Sequence, residues 1–188
     1  IILATTVDGE RIYQADEAAR RAVVHLLGDS QGQVSNGVET FQTSYLYGFQ
    51  TSLPELVASL FTGAERRGDD VTLTIDSKLC TAIAASFAAN EKTAGKKGAA
   101  VVMNYQTGAV LAMCSKPDYD PNDPPREQLD ALQSLMRIRL ISDSYEPGST
   151  FKILTAAAAL DSGVTTPEDG FYCSGKIKVD GDTIKCWG

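Results

Sequence analysis

A serine and a lysine stand three residues apart in the stretch SYEPGSTFKILTAAAALDSG, which begins at residue 144. Pro147 and Gly148 interrupt any preceding helix, so the sequence predicts a new helix that starts at about Ser149 and stops at the glycine of LDSG. Because residues three apart share one helix face, the Ser149 hydroxyl and the Lys152 amine are predicted to be neighbours. Such a pair could act as a nucleophile with its own base.

The start of a helix suits this chemistry. Its free N–H groups and the positive end of its dipole favour negative charge on the Ser149 oxygen. The same field, with partial burial, disfavours the ammonium form of Lys152 and leaves a neutral amine that can take the serine proton. Attack on a carbonyl would build an oxyanion, to which the Ser149 N–H could donate.

A structural interpretation of the same residues is also possible. Ser149 is a good helix N-cap, lysine is an ordinary helix residue, and S-x-x-K is expected by chance about once in a chain of this size. The stretch ILTAAAAL is apolar on all sides, which predicts that the helix is buried. A lysine near the start of a buried helix is costly unless it lies at a cleft or has a role, and this favours catalysis.

Composition excludes several classes of function. The chain has 188 residues, 43% hydrophobic and 22% charged, which is typical of a globular protein. Its net charge of -7, without a run of Lys or Arg longer than two, argues against a nucleic-acid or anionic-membrane partner. No stretch approaches the roughly 20 apolar residues that span a bilayer, and the N-terminus does not have the pattern of a signal peptide.

Four cysteines and one histidine, His25, occur without C-x-x-C spacing, so no zinc site is predicted. Cys80 and Cys114 lie in apolar runs and are interpreted as small buried hydrophobes. Cys173 and Cys186 bracket SGKIKVDGDTIK, where a disulfide would contribute about 3 kcal/mol, although two free thiols fit the sequence equally well. His25 is interpreted as a surface or packing residue rather than a ligand.

The N-terminal third has weaker patterns. Residues 10–27 carry a helical pattern that stops at Gly28, and the polar, glycine-rich residues 29–40 predict a loop. Residues 41–61 predict a second helical region. The charged stretch TGAERRGDD, residues 62–70, is a candidate linker between two units.

The remaining elements alternate between strands and helices. DVTLTI, residues 70–75, predicts a strand, after which Asp76 is expected to cap a helix over residues 77–92. GAAVVMN and AVLAMCS around YQTG predict a hairpin that is buried on both faces and covered by helices. A helix over residues 126–141 then leads to Ser149, and the whole order indicates an α+β fold.

YEPGSTFK resembles the nucleophile motif of penicillin-binding proteins, the serine D-Ala-D-Ala transpeptidases that crosslink peptidoglycan. DDVTLTIDSKLC and GAAVVMNYQTGAVLAMCSKPDYDPND resemble the opening of their transpeptidase domain. RIY, HLLG and NGVETFQTSYLYG resemble the N-terminal pedestal of the monofunctional, class B members. The resemblance implies part of a dimerisation-type pedestal over residues 1–66. It also implies the N-terminal part of a β-lactamase-like transpeptidase domain, with helices around an antiparallel sheet, over residues 67–188.

By this resemblance Ser149 is the acylated nucleophile and Lys152 its general base, while Gly37 and Glu39 pack and pair within the pedestal. The implied substrates are peptidoglycan stem peptides, which β-lactam antibiotics imitate, and the implied partners are other cell-wall synthesis proteins. The implied location is the extracytoplasmic face of the cell membrane, through an N-terminal anchor that this sequence lacks. No cofactor is implied.

Two family motifs are missing. No S-x-N occurs in the sequence, and KTAG at Lys92–Gly95 lies upstream of Ser149 and is interpreted as coincidence. Gln14 and Ile138 replace a usual proline and asparagine, which are minor departures. The chain is expected to be an internal fragment, inactive or nearly so without the rest of its domain. A related S-x-x-K carboxypeptidase or β-lactam sensor, and a non-catalytic scaffold or interaction module, stay open as alternatives.

Overall fold

The chain divides into two compact units, Ile1–Asp143 and Ser144–Gly188. The computed structural model describes residues 1–28, 37–49, 54, 57, 61–63, 68–124 and 134–186. The predicted boundary between residues 66 and 67 lies outside the described residues and stays a prediction. The same holds for most of the predicted helical region after residue 49 and for the centre of the candidate linker.

The described elements mix short strands and helices. In chain order they are β1 (Ala4–Val7), β2 (Glu10–Tyr13), α1 (Glu17–Leu27), α2 (Val38–Phe41), α3 (Thr43–Leu46), α4 (Ser77–Ala89), β3 (Gly98–Met103), β4 (Val110–Lys116), α5 (Arg139–Ser142), a 3-10 turn (Gly148–Thr150), α6 (Phe151–Asp161), β5 (Lys176–Val179) and β6 (Asp182–Lys185). The strands pair antiparallel as β1–β2, β3–β4 and β5–β6. This mixture confirms the predicted α+β class.

The N-terminus forms a hairpin where the start of a helix was predicted. Asp8 and Gly9 have φ values of 51° and 82°, the left-handed values of a two-residue hairpin turn, and they join β1 to β2. The predicted helix over residues 10–27 is therefore wrong in its first part. Helix α1 begins after Asp16, whose carboxylate accepts a hydrogen bond from the Ala18 N–H at 2.9 Å.

The main core of the first unit joins α1, α4 and β4. Its buried members are all small or aliphatic: Ala22, Val23, Leu27, Cys80, Ala84, Ala112 and Cys114. The interpretation of Cys80 and Cys114 as buried hydrophobes is confirmed. Burial of each aliphatic side chain contributes about 1.5 to 3 kcal/mol, so this contact holds the two helices against the strand.

Residues 70–75 are extended but form no strand, contrary to the prediction. Their side chains alternate as expected, with Val71, Leu73 and Ile75 half-buried. A ladder needs repeated backbone pairing. Within the described part of the chain, the bonds to β4 are one from the Thr74 hydroxyl to the Val110 carbonyl at 2.7 Å and one backbone bond, from the Asp76 N–H that follows the stretch to the Leu111 carbonyl at 2.8 Å. The alternation therefore predicts burial correctly but not pairing.

The helix and hairpin that follow were predicted well. The Asp76 carboxylate accepts from the backbone N–H groups of Lys78 and Leu79, which confirms the predicted cap of α4. The hairpin β3–β4 is also confirmed, but burial on both faces is wrong at the end of β3, where Val101 and Met103 are 49% and 56% exposed. Helices α1 and α4 pack against β4 instead.

Gly37 and Glu39 have the structural roles that the resemblance implies. A Cβ on Gly37 would lie 2.8 Å from the Gly28 nitrogen and the Leu27 carbonyl, so the end of α1 leaves room for glycine alone. The Glu39 carboxylate accepts from the Arg11 guanidinium, and both side chains are about four-fifths buried. The predicted loop over residues 29–40 is wrong from Val38 onward, where α2 begins, and its first eight residues lie outside the described part.

The predicted helix over residues 126–141 is interrupted before Arg139. Residues 134–136 are helical, Ile138 leaves the helical conformation with ψ of 89°, and α5 starts anew. The Arg139 N–H donates to the Ser115 hydroxyl at 3.2 Å instead of to a helical carbonyl, which accounts for the break. Residues 126–133 are not among those described.

The second unit contains one α-helix and one hairpin among its described residues. Asp180 and Gly181, with φ of 50° and 93°, make the turn between β5 and β6. Helix α6 is exposed, with Ile153 70% and Leu154 62% accessible, so its predicted burial is wrong for this unit. One helix and one two-stranded hairpin are too few elements to enclose an apolar helix. No helix of the described residues is long and apolar enough to cross a membrane.

Candidate active site

Ser149 lies in a tight turn directly before α6. The turn is the 3-10 segment Gly148–Thr150, in which the Thr150 N–H donates to the Pro147 carbonyl at 3.0 Å. Gly148 has φ of 51°, a left-handed value that favours glycine. The predicted start of the helix at about Ser149 is confirmed, as is its stop at Gly163, which has φ of 70°.

The Ser149 hydroxyl forms no hydrogen bond with the residues that the structure describes. The N-cap of α6 is Thr150, and no side chain caps this helix, so the interpretation of Ser149 as an N-cap is wrong. In the described part of the chain, neither the hydroxyl nor the backbone N–H of Ser149 has a hydrogen-bond partner. Ser149 is exposed, and its hydroxyl and N–H are left without a partner there, as a nucleophile and an oxyanion donor must be.

Lys152 follows as the second residue of α6 and is also exposed, so its predicted partial burial is wrong in this unit. No hydrogen bond joins the Lys152 amine to the Ser149 hydroxyl among the described residues. The two side chains are three residues apart across the junction of the 3-10 turn and α6. The base role of Lys152 therefore stays a prediction.

Cys173 and Cys186 are exposed thiols that act on each other through a side-chain hydrogen bond. Hydrogen bonds from the Gly175 N–H and, to a smaller extent, from the Cys186 thiol lower the pKa of Cys173. Hydrogen bonding to Cys173 raises the pKa of Cys186, while the positive charge of Lys152 acts in the opposite direction. The predicted disulfide stays a prediction.

The first unit contains a buried histidine. His25 is 3% exposed, its Nε2 lies 2.6 Å from the Leu135 carbonyl, and its ring meets that of Tyr119 edge-on at 5.9 Å. Burial lowers the pKa of His25. These contacts confirm that His25 is a packing residue.

Sequence reasoning missed the hairpin β5–β6. The signal was present, because Asp180-Gly181 stands between the alternating stretches KIKV and DTIK. The same dipeptide marks the turn between β1 and β2. The hairpin carries three lysines in the unit that contains Ser149.

The geometry is a serine on a turn before a helix, with a lysine three residues on. Residues 98–188 match the family described as the penicillin binding protein transpeptidase domain, and this match includes both residues. The chain belongs to the penicillin-binding proteins. This confirms the predicted resemblance to the class B members, together with the fold that it implied.

Relatives match most of the chain. Stage V sporulation protein D of Bacillus subtilis is 32% identical over 206 residues, which cover 96% of this chain and 30% of that protein. The peptidoglycan D,D-transpeptidase PbpA of Mycobacterium tuberculosis H37Rv is 40% identical over 124 residues, 60% of this chain and 25% of that protein.

Solved structures agree. The ceftriaxone acyl-enzyme complex of penicillin-binding protein A from M. tuberculosis has a TM-score of 0.70 and 28% identity, and the match covers 97% of this chain and 44% of that chain. The imipenem acyl-enzyme complex of the same protein gives a TM-score of 0.67. The chain therefore spans between a quarter and a third of the length of these curated relatives and less than half of the solved structures.

Proposed function

We propose that this chain supplies the nucleophile of a peptidoglycan D-Ala-D-Ala transpeptidase that β-lactams also acylate. The observation that carries the proposal is the Ser149 hydroxyl, which is exposed, has no structural partner in the described residues, and stands in the turn before α6. The family match over residues 98–188 supports it. So do relatives named as D,D-transpeptidases and a neighbour solved as acyl-enzyme complexes.

In the proposed reaction Lys152 takes the hydroxyl proton as the Ser149 oxygen attacks the carbonyl carbon of the penultimate D-Ala. The oxyanion accepts a hydrogen bond from the Ser149 N–H, a donor of the kind worth about 3 kcal/mol in acyl-transfer sites. The bond to the terminal D-Ala breaks, and its nitrogen takes the proton from Lys152. An acceptor amine then attacks the ester carbonyl and forms the crosslink, while its proton passes through Lys152 to the departing Ser149 oxygen.

The proposed setting follows from this chemistry. Peptidoglycan lies outside the cytoplasm, so we place the reacting unit on the extracytoplasmic face of the cell membrane, with other cell-wall synthesis proteins as partners. Residues 1–66 are proposed to be part of the pedestal and residues 67–188 part of the transpeptidase domain. The match to the B. subtilis relative over 96% of the chain supports a shared architecture.

Intact mass spectrometry after incubation with a penicillin tests the nucleophile. We expect one penicillin adduct on the parent chain, its loss in Ser149→Ala, and its retention in Ser162→Ala, a control serine exposed at the end of α6. Lys152→Ala should slow acylation by about 10² to 10⁴. An adduct that persists in Ser149→Ala would place the nucleophile elsewhere. No adduct, either here or on a longer form of the protein, would favour the non-catalytic scaffold.

We also propose that Cys173 and Cys186 form a disulfide when a small disulfide such as oxidised glutathione accepts their two electrons and two protons. Their shared hydrogen bond supports this pairing. The bond would close a short loop around β5–β6 and contribute about 3 kcal/mol on the chain-entropy estimate. The proposed extracytoplasmic location is a setting in which disulfides persist.

A further inference from the structure

The register of β5–β6 gathers lysines on one face of the hairpin. Lys176 lies directly opposite Lys185, and Lys178 lies opposite Thr183. Since opposite residues share a face and alternate residues along a strand return to it, all four side chains lie on one side. Ile177 and Ile184 lie opposite each other on the other side. We call the first side the lysine face.

Two of these lysines stand in the closest kind of cross-strand pair. The Cys186 N–H donates to the Gly175 carbonyl at 2.8 Å, which makes Gly175 and Cys186 a hydrogen-bonded pair. The next pair along, Lys176 and Lys185, is therefore a non-hydrogen-bonded pair, whose side chains approach more closely. Like charges directly opposite each other destabilise a hairpin. A bound anion would remove this repulsion.

The protein itself supplies no such anion within the described residues. None of the ion pairs there involves Lys176, Lys178 or Lys185. The two carboxylates nearest in sequence are Asp180 in the turn and Asp182, which lies opposite Val179 on the isoleucine side. The lysine face is exposed throughout, in a chain whose net charge is -7. This local concentration of positive charge opposes the charge of the whole chain.

We propose that the lysine face binds a peptide that carries several carboxylates, and that this peptide is part of the substrate that Ser149 attacks. This inference rests on the proposed function. The lysine face belongs to the same compact unit as Ser149, the 45 residues Ser144–Gly188. A peptide substrate held at Ser149 would present its other carboxylates to the unit that carries the lysine face.

Fluorescence anisotropy with a labelled peptide that ends in D-Ala-D-Ala and contains additional glutamates tests the binding. The triple variant Lys176→Glu, Lys178→Glu, Lys185→Glu should bind about tenfold more weakly at low salt, the sum of three exposed charge contacts. The matched control reverses three exposed lysines of the first unit, Lys78, Lys92 and Lys96, and should bind within about twofold of the parent. Amidation of the glutamates should abolish the difference.

A single variant separates binding from folding. Lys185→Glu places a carboxylate opposite Lys176, so the hairpin gains an opposite-charge pair while the face loses positive charge. We expect weaker peptide binding with no loss of thermal stability. Equal binding by parent and triple variant would overturn the proposal, as would an equal loss in the matched control. Binding to anionic lipid vesicles but not to the peptide would also overturn it.

The failure of this inference can be told apart from the failure of the proposed function. Ser149→Ala removes the penicillin adduct but leaves the lysine face intact, so peptide binding should persist in that variant. A chain that is acylated but shows no lysine-dependent binding would refute the inference alone. Peptide binding without acylation, in this chain and in a longer form of the protein, would refute the role of Ser149 alone.

Discussion

Arg139→Ala is expected to destabilise the first unit by about 3 kcal/mol. The Arg139 side chain is 95% buried and donates to the Lys116 carbonyl at 2.8 Å and to the Ser134 carbonyl at 2.6 Å. It also pairs with Asp143 at 3.2 Å. Truncation leaves two carbonyls without this donor, and each unsatisfied buried group costs about 1 to 3 kcal/mol. Asp143 adds less, because Arg137 still pairs with it.

Arg137→Ala is the matched control. Arg137 shares the partner Asp143 and donates to the Ser142 carbonyl at 2.6 Å, but its side chain is 49% exposed. Water can replace its hydrogen bonds, so the expected cost is below about 1 kcal/mol. Urea unfolding followed by far-ultraviolet circular dichroism measures both variants, with a shared slope for the dependence on urea.

The comparison can refute the reasoning in two ways. If Arg139→Ala costs less than about 1 kcal/mol, the carbonyls of Lys116 and Ser134 do not depend on this guanidinium. If the two variants cost the same amount, burial does not distinguish these arginines, and the link from Lys116 to Ser134 is not what holds this segment. A changed urea slope would instead indicate a change in the unfolded or folded ensemble.

Two further predictions concern His25 and the exposed thiols. Burial lowers the pKa of His25 below its usual 6.5, so the unfolded chain binds more protons below that pH and the free energy of unfolding falls as pH drops. His25→Gln, which keeps a donor for the Leu135 carbonyl, should flatten this dependence in urea titrations, and an unchanged slope would exclude His25 as its source. After treatment with oxidised glutathione, mass spectrometry should find Cys173 and Cys186 protected from iodoacetamide together. Alkylation of both would contradict the disulfide.

The sequence predicts best the features that depend on residues close together in the chain. Asp76 caps α4 because its own carboxylate reaches the next N–H groups, and Gly163 ends α6 because it takes a left-handed φ. The turn YQTG likewise closes β3–β4. These features depend little on contacts with residues that are distant in the sequence. The start of the Ser149 helix belongs to this class, which is why the candidate nucleophile could be placed from sequence.

Most of the wrong predictions concern features that depend on contacts with residues distant in the sequence. Residues 70–75 alternate as a strand does, but whether they pair depends on how β4 presents its carbonyls some 36 residues later. The helix before Arg139 breaks because the Ser115 hydroxyl, 24 residues away, takes the Arg139 N–H. The helix predicted for residues 10–13 was wrong for a different reason. Asp8-Gly9 is a local hairpin signal, but the prediction gave more weight to the helical pattern.

At the candidate site, the position of α6 is set by neighbouring residues, whereas its burial depends on distant ones. Its apolar surface predicts burial, but the described residues of its unit provide no partner for Phe151, Ile153 or Leu154. A lysine beside a serine becomes an effective base where water is excluded, and an exposed α6 does not exclude water from Lys152. Acylation of this chain by penicillin should therefore be slow relative to a form in which α6 is covered. The residues of the nucleophile and base are local properties of the sequence, whereas the strength of the base depends on what packs around them.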